Sequence, residues 1–164
     1  MSSLYRMFAQ IARWPYARFY TVPITSYLQA ATKKDLIPGF KWPMEEPVAF
    51  CNVVGEERCE STSFRNDAEV REVSNIVCSF LKAGLPANRV AIITPYSAQK
   101  TALKATLATL DAAVCVDNID AFQGLEYDLI IVSFVRANNR GALGFVSCFR
   151  RINVALTRAR TGLI

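Results

Sequence analysis

Leu129-Ile130-Ile131-Val132-Ser133-Phe134-Val135 is a nearly unbroken apolar run. A strand with one wet face alternates polar and apolar side chains. A strand without alternation is covered on both faces, as in a parallel sheet with helices above and below it. Working backwards from this run, Val114 to Val116 reads as a short strand, 89–93 (RVAII) as another, and 48–54 (VAFCNVV) as a third. Helical patterns lie between them. Asn66, followed three residues later by Glu69, looks like a capping box. Val70, Val73, Ile76, Val77, Phe80 and Leu81 then recur at helical spacing, and Gly84 and Pro86 stop that helix. Ser97 is placed to cap a second helix, with Leu103, Leu107 and Leu110 on one face and Lys100 and Lys104 on a different side. Working forwards, Phe149 to Arg160 reads as a helix, and Gly162-Leu163-Ile164 begins a further strand.

Strands alternating with helices specify an α/β domain with a mainly parallel sheet. Ligands of such sheets sit outside the carboxyl ends of the strands. Three polar clusters are expected there: Thr94-Pro95-Tyr96, Asp117–Glu126 and Arg136-Ala137-Asn138. Residues 1–47, with Pro15, Pro23, Pro38, Pro43 and Pro47, read as a loop-rich lead-in to a domain over 48–164. Both ends look cut, so the fold is expected to be truncated.

Composition narrows the chemistry. The chain has 164 residues, 52% hydrophobic and 20% charged, which suits one globular domain with a core. Nineteen Lys and Arg against 14 Asp and Glu give a net charge of +5, a modest bias toward polyanionic partners. There is no histidine, which excludes a Ser-His-Asp triad and His-ligated zinc. The five cysteines form no C-x-x-C pair and are odd in number, so reduced thiols in an intracellular protein, cytoplasmic or nuclear, are expected. No apolar run approaches the ~20 residues of a membrane span, and no membrane partner is expected.

Two segments carry candidate chemistry. In Arg150–Arg160, a continuous helix would put Arg151 and Arg158 on one face, with Ile152, Ala155 and Leu156 seating it on the sheet. Guanidinium groups held this way suit bidentate phosphate recognition. A solvated basic helix face has the same spacing. In Asp120–Asp128, Gly124 permits a tight turn and close backbone approach, leaving Gln123 and Glu126 at the strand edge, within reach of a ligand. A plain polar connection between two strands reads the same way.

Taken together these segments resemble a known family. DAFQGLEYDLIIVSFVRAN followed by GFVSCFRRINVALTRAR looks like motifs V and VI of superfamily 1 helicases, in the branch that contains the nonsense-mediated-decay helicase and senataxin. IITPYSAQ is similar to that branch's ITPY-x-x-Q. LYRM with WPYARFY resembles its QYRMHP and FPS-x-x-FY, and FRNDAEVREV its S-x-x-N-x-x-E-A-x-x-V. The order is collinear over nearly the whole chain. The resemblance implies a RecA-like three-layer fold, the second of two RecA-like domains that hold ATP between them. The first, N-terminal RecA-like domain would supply the phosphate loop and the carboxylate for Mg²⁺. Arg158 would be the main arginine finger and Arg6 a second one. Tyr5 would stack on the adenine, Glu126 would lie near the ribose, and Gln123 would link the nucleotide and nucleic-acid sites. Gly124 and Arg151 fall with these nucleotide-binding residues. Thr94, Tyr96 and Asn118 would lie toward single-stranded RNA or DNA, with contacts mainly to its backbone.

The chain departs from the pattern in four places. It has no G-x-x-x-x-G-K-[ST] phosphate loop. It has no Mg²⁺-binding acid after an apolar strand, since Asp128 precedes its run. Met7-Phe8-Ala9 replaces Met-His-Pro, and Asn118 stands where Thr or Ser is usual. The chain alone is therefore expected neither to hydrolyse ATP nor to unwind a duplex. Two other readings stay open. One is a non-catalytic module that binds nucleic acid or protein. The other is a nuclease built on Asp67, Glu69 and Glu72, although a capping box also accounts for Asp67 and Glu69.

Overall fold

The computed structural model describes residues 7–20, 29–110 and 113–164. In chain order its elements are α1 (Ala9–Phe19), β1 (Glu57–Glu60), β2 (Ser63–Asn66), α2 (Asp67–Lys82), β3 (Val90–Ile93), α3 (Ser97–Ala108), β4 (Cys115–Asp117), β5 (Tyr127–Val132), α4 (Phe149–Leu156) and β6 (Ala159–Leu163). A four-stranded sheet in the order β4-β3-β5-β6 forms the middle layer, and every pairing in it is parallel.

The apolar runs are continuous because each strand is buried on two faces. Val90, Ile92, Leu129 and Ile131 meet Val73, Val77, Phe80, Leu103 and Leu107 on the α2–α3 side. Ala91, Ile93 and Ile130 meet Ile11, Phe122 and Ala155 on the α1–α4 side. Alternate residues of one strand thus serve opposite layers. Each large side chain fully buried this way, such as Phe80 or Phe122, contributes about 1.5–3 kcal/mol. Gly162 marks the tightest approach. A Cβ there would lie 2.9 Å from the Trp42 ring and 3.1 Å from Leu129. Trp42 is fixed in turn by donating its indole N–H to Ile37 O at 2.8 Å.

The RecA-like α/β architecture expected from the sequence is present, with differences in detail. The lead-in is not all loop. Ala9–Phe19 is helical even with Pro15 inside it, where one main-chain hydrogen bond is lost. Burial of Ile11, Ala12 and Pro15 outweighs that loss. The stretch 48–54 is not a strand. Val48 alone bridges Leu163, Ala49 N donates to Leu163 O, and Phe50 and Val54 stand exposed. The hairpin β1–β2 was hidden by its ionic composition: Arg65 pairs with Glu60 and Asp67, and Arg58 with Asp67. Leu110 is exposed and does not join Leu103 and Leu107.

Two caps also differ. Asn66 caps α2 through Oδ1, which accepts from Ala68 N and Glu69 N, but Glu69 does not reach back to complete a box. Ser97 is the first residue of α3 and caps nothing. Ser63 Oγ, from the hairpin, accepts from Ala98 N at 3.1 Å instead. Finally, α4 ends at Leu156, a turn holds Thr157 and Arg158, and Ala159 already belongs to β6. Arg151 and Arg158 therefore share no helical face.

Candidate functional site

The strand order places a switch point between β3 and β5: the chain moves to one side from β3 to β4, then returns past β3 to β5. The helices follow suit, α3 on one face and α4 on the other. Crevices at such points lie outside the carboxyl ends of the strands. Here that place is filled by a buried polar clamp. Gln99 accepts from Asn66 N at 2.9 Å and donates to Ser133 Oγ at 2.9 Å. Ser133 Oγ donates to Glu69 Oε2 at 2.6 Å. Both Glu69 oxygens accept from Val135 N, at 3.0 and 3.1 Å, and Asn66 Nδ2 donates to Val135 O at 3.4 Å. Val135 is held at φ +70°, a left-handed conformation that a β-branched residue rarely adopts. Glu69 is thus committed to the clamp and Asp67 to Arg58 and Arg65, which leaves the set proposed for a nuclease without free carboxylates at those two positions.

The three expected polar clusters behave differently. Thr94 and Tyr96 follow β3 but are both buried. Thr94 Oγ1 accepts from Tyr96 N at 3.4 Å. Tyr96 lies edge-on to Phe64 and Phe145, each at 5.7 Å, and its hydroxyl abuts Gly144. In this arrangement both side chains pack inside the edge. Arg136 and Asn138, after β5, fold onto their own loop and the hairpin. Arg136 Nε donates to Ala142 O at 3.0 Å and lies 3.2 Å from Glu57 Oε2, and Asn138 Nδ2 donates to both acceptors at 2.9 and 3.2 Å.

The middle cluster spans the domain. Asp117 ends β4 at the carboxyl edge, and Asn118 follows it. Burial pushes the Asp117 carboxyl up, but the Asn118 N–H and the Lys100 and Lys104 ammonium groups outweigh it and hold it below its ordinary value. Lys100 Nζ lies 3.0 Å from Asp117 Oδ1. Asn118 Oδ1 is buried with no hydrogen-bond partner among the described residues. From there Ile119–Phe122 forms a 3-10 turn, and the chain crosses to the amino end of β5. Gln123, Gly124 and Glu126 therefore do not belong to the carboxyl edge as expected. Gly124 takes φ +85°, so its turn does require glycine. Its two chain neighbours aside, no atom of the described residues lies within 4 Å of where its Cβ would be.

Arg158 sits at this amino edge, next to β5 and β6. Tyr127 N donates to Arg158 O at 3.1 Å. The Arg158 side chain donates to Val154 O at 3.1 Å, Leu125 O at 3.4 Å and Thr157 Oγ1 at 3.1 Å. It is half-buried, and among the described residues no carboxylate pairs with it. Its neighbour Arg160 does pair, with Asp128. Arg151 lies at the opposite, amino end of α4, over the carboxyl edge of the sheet, where its Nη2 is 3.3 Å from Asp120 Oδ2. The structure thus groups Arg151 with Asn118 and Asp120 rather than with Arg158, Gly124 and Glu126. Tyr127, beside Arg158, has its hydroxyl pushed up to about 12 by a hydrogen bond with Cys115 and by burial. Tyr5 and Arg6 lie outside the described residues. Among the described residues no three acids or cysteines converge as a metal site, and no helix is long and apolar enough to cross a membrane.

Sequence reasoning missed Glu69, Gln99 and Ser133 as one unit. The Gln of ITPY-x-x-Q was visible, but its partners are 33 and 34 residues away.

Comparison with known proteins agrees with this architecture. A family model described as an AAA domain matches residues 1–164. A regulator of nonsense transcripts 1 homolog from Drosophila melanogaster is 37% identical over 98% of this chain and 14% of its own length. The regulator of nonsense transcripts 1 of Dictyostelium discoideum is 37% identical, over 98% of this chain and 13% of its own length. The DNA-binding protein SMUBP-2 of Rattus norvegicus is 36% identical, over 95% of this chain and 17% of its own length. The chain spans under a fifth of each of these relatives. It belongs to the AAA domain family and, within it, to the superfamily 1 helicases of the nonsense-mediated-decay and senataxin-like branch.

Proposed function

We propose that this chain is the arginine-bearing half of a composite ATP motor that acts on single-stranded RNA or DNA. One observation carries the proposal. Arg158 holds a half-buried guanidinium at the sheet's amino edge, oriented by main-chain oxygens and uncompensated by any carboxylate among the described residues. A cation in that state attracts phosphate without first breaking an ion pair. In the proposal Arg158 meets the γ-phosphate of ATP bound on an N-terminal RecA-like domain, and Arg6 serves as a second finger. Tyr5, Gln123, Gly124 and Glu126 flank the same nucleotide. Arginines placed so stabilise the charge that spreads over the phosphoryl oxygens, an effect of ~10³–10⁵ in rate.

The phosphate loop and the seat for Mg²⁺ belong to the other domain in this scheme. That domain supplies the charge that offsets the triphosphate, and this chain supplies the donors that complete the pocket when the two meet. The chain alone then turns over no ATP.

The test uses the longest product of the gene that carries this chain. Its ATPase activity, stimulated by single strands, is expected to fall ~10³-fold or more in Arg158→Ala. Equal activity of the two proteins sinks the proposal, as does ATP turnover by the 164-residue chain alone. The replacement of Met-His-Pro by Met7-Phe8-Ala9 favours a second reading, a binding module without motor function. In that case neither protein hydrolyses ATP, while strand binding persists.

A further inference from the structure

A cavity of about 200 Å³ opens at the carboxyl edge, lined by Pro95, Asn118, Ile119, Asp120, Phe145 and Arg151. Its walls carry a specific chemistry. Phe145 is 51% exposed and offers a ring face. The Arg151 guanidinium carbon stands 5.5 Å from the centre of that ring. The Asp120 carboxylate and the Asn118 amide supply the polar rim, and Asn118 Oδ1 is buried there with its hydrogen-bonding capacity unused among the described residues.

This is a poor seat for a phosphate. Asp120 already takes up the charge of Arg151, and two acceptor groups would face the phosphate oxygens. It is a good seat for a flat ring with N–H donors along one edge. The ring stacks on Phe145 beside the guanidinium, and its edge donates to Asp120 and Asn118. An unstacked nucleobase has that shape and that edge, and single strands are commonly held through such aromatic platforms.

We propose that this cavity takes one base of a bound single strand. The proposal rests on the single-strand reading above and deepens it. It also moves Arg151 from the nucleotide side to the strand side. Asn118 then reads a base edge through Oδ1, the acceptor left unused among the described residues.

The test is equilibrium binding of the chain to a fluorescently labelled single-stranded oligonucleotide, and to the same strand with abasic positions. Phe145→Ala is expected to weaken binding of the intact strand roughly 5- to 150-fold, the loss of one stacked base. The native chain should bind the abasic strand about as weakly, and Phe145→Ala should weaken that binding no further. Arg151→Gln, at an exposed position, should show the same dependence on the bases to a smaller degree. If both variants bind the intact strand like the native chain, or weaken both strands equally, the base pocket is wrong and single-strand binding stands. If the native chain binds neither strand, the single-strand reading fails and the pocket fails with it.

Discussion

At the carboxyl ends of β3 and β5, polar side chains far apart in sequence hold one another, whereas at the amino ends of β5 and β6 Arg158 faces main-chain oxygens and, among the described residues, no carboxylate. Gln99, Asn66, Ser133 and Glu69 form the first arrangement, and the two Glu69 contacts keep Val135 at φ +70°. A strained residue of this kind costs about 1–3 kcal/mol and persists only where its surroundings over-determine it. Among the described residues the second arrangement lacks such cross-bracing: apart from its chain neighbours, none comes within 4 Å of the missing Cβ of Gly124. The polar groups at the ends of β3 and β5 satisfy one another within the chain. The amino edge presents a charge and a turn that have no counterpart among the described residues. That is what separates the part of a domain that keeps its own shape from the part that completes a site with another surface.

The comparison can be broken by stability measurements. Gln99→Leu leaves Asn66 N without its acceptor and Ser133 Oγ without its donor in a buried place, although Ser133 keeps its bond to Glu69. An unsatisfied buried group costs about 1–3 kcal/mol in general. We expect a loss of about 2–4 kcal/mol in urea unfolding, while Arg158→Ala should lose less than ~1 kcal/mol, because its neutral acceptors remain wet or main-chain bonded. Equal losses would erase the distinction between the edges. Glu69→Ala removes charge-assisted bonds to Ser133 and Val135 and should cost about 2 kcal/mol by the same measurement. A cost near zero would show that Val135 needs no restraint.

A smaller effect sharpens the contrast at the end of β4. The Asp117 carboxyl is held below its ordinary value, so its contribution is full at neutral pH and is lost as pH falls through its lowered native value. The side chain is a third exposed, so the contribution is under ~1 kcal/mol. Asp117→Asn should therefore be slightly less stable than the native chain at pH 7, and the gap should close in acid. A gap that widens in acid would contradict the sign.

Much of this was legible in the sequence because it is local. Continuous apolar runs announced strands buried on both faces, and the spacing of Val70 to Phe80 announced α2. The hairpin was not legible, because ion pairs and not an apolar face hold Glu57–Asn66. The end of α4 was not legible either. Ile152, Ala155 and Leu156 read as the seat of a helix running to Arg160, yet the helix stops at Leu156 and Ala159 is paired with Tyr127 as the first residue of β6. That misreading put Arg151 and Arg158 on one face, and only the strand pairing moves them to opposite ends of α4. The clamp on Val135 joins positions more than 60 residues apart, and no local pattern encodes that.

The most direct test sets those two arginines against each other. In the longest product that carries this chain, ATP turnover is measured as single strand is added, for Arg158→Ala and for Arg151→Ala. We expect Arg158→Ala to lose ~10³-fold or more even at saturating strand. Arg151→Ala should keep its turnover at saturation and need more strand to reach it. Loss of saturated turnover in Arg151→Ala, with Arg158→Ala unaffected, would contradict the assignment of the two edges.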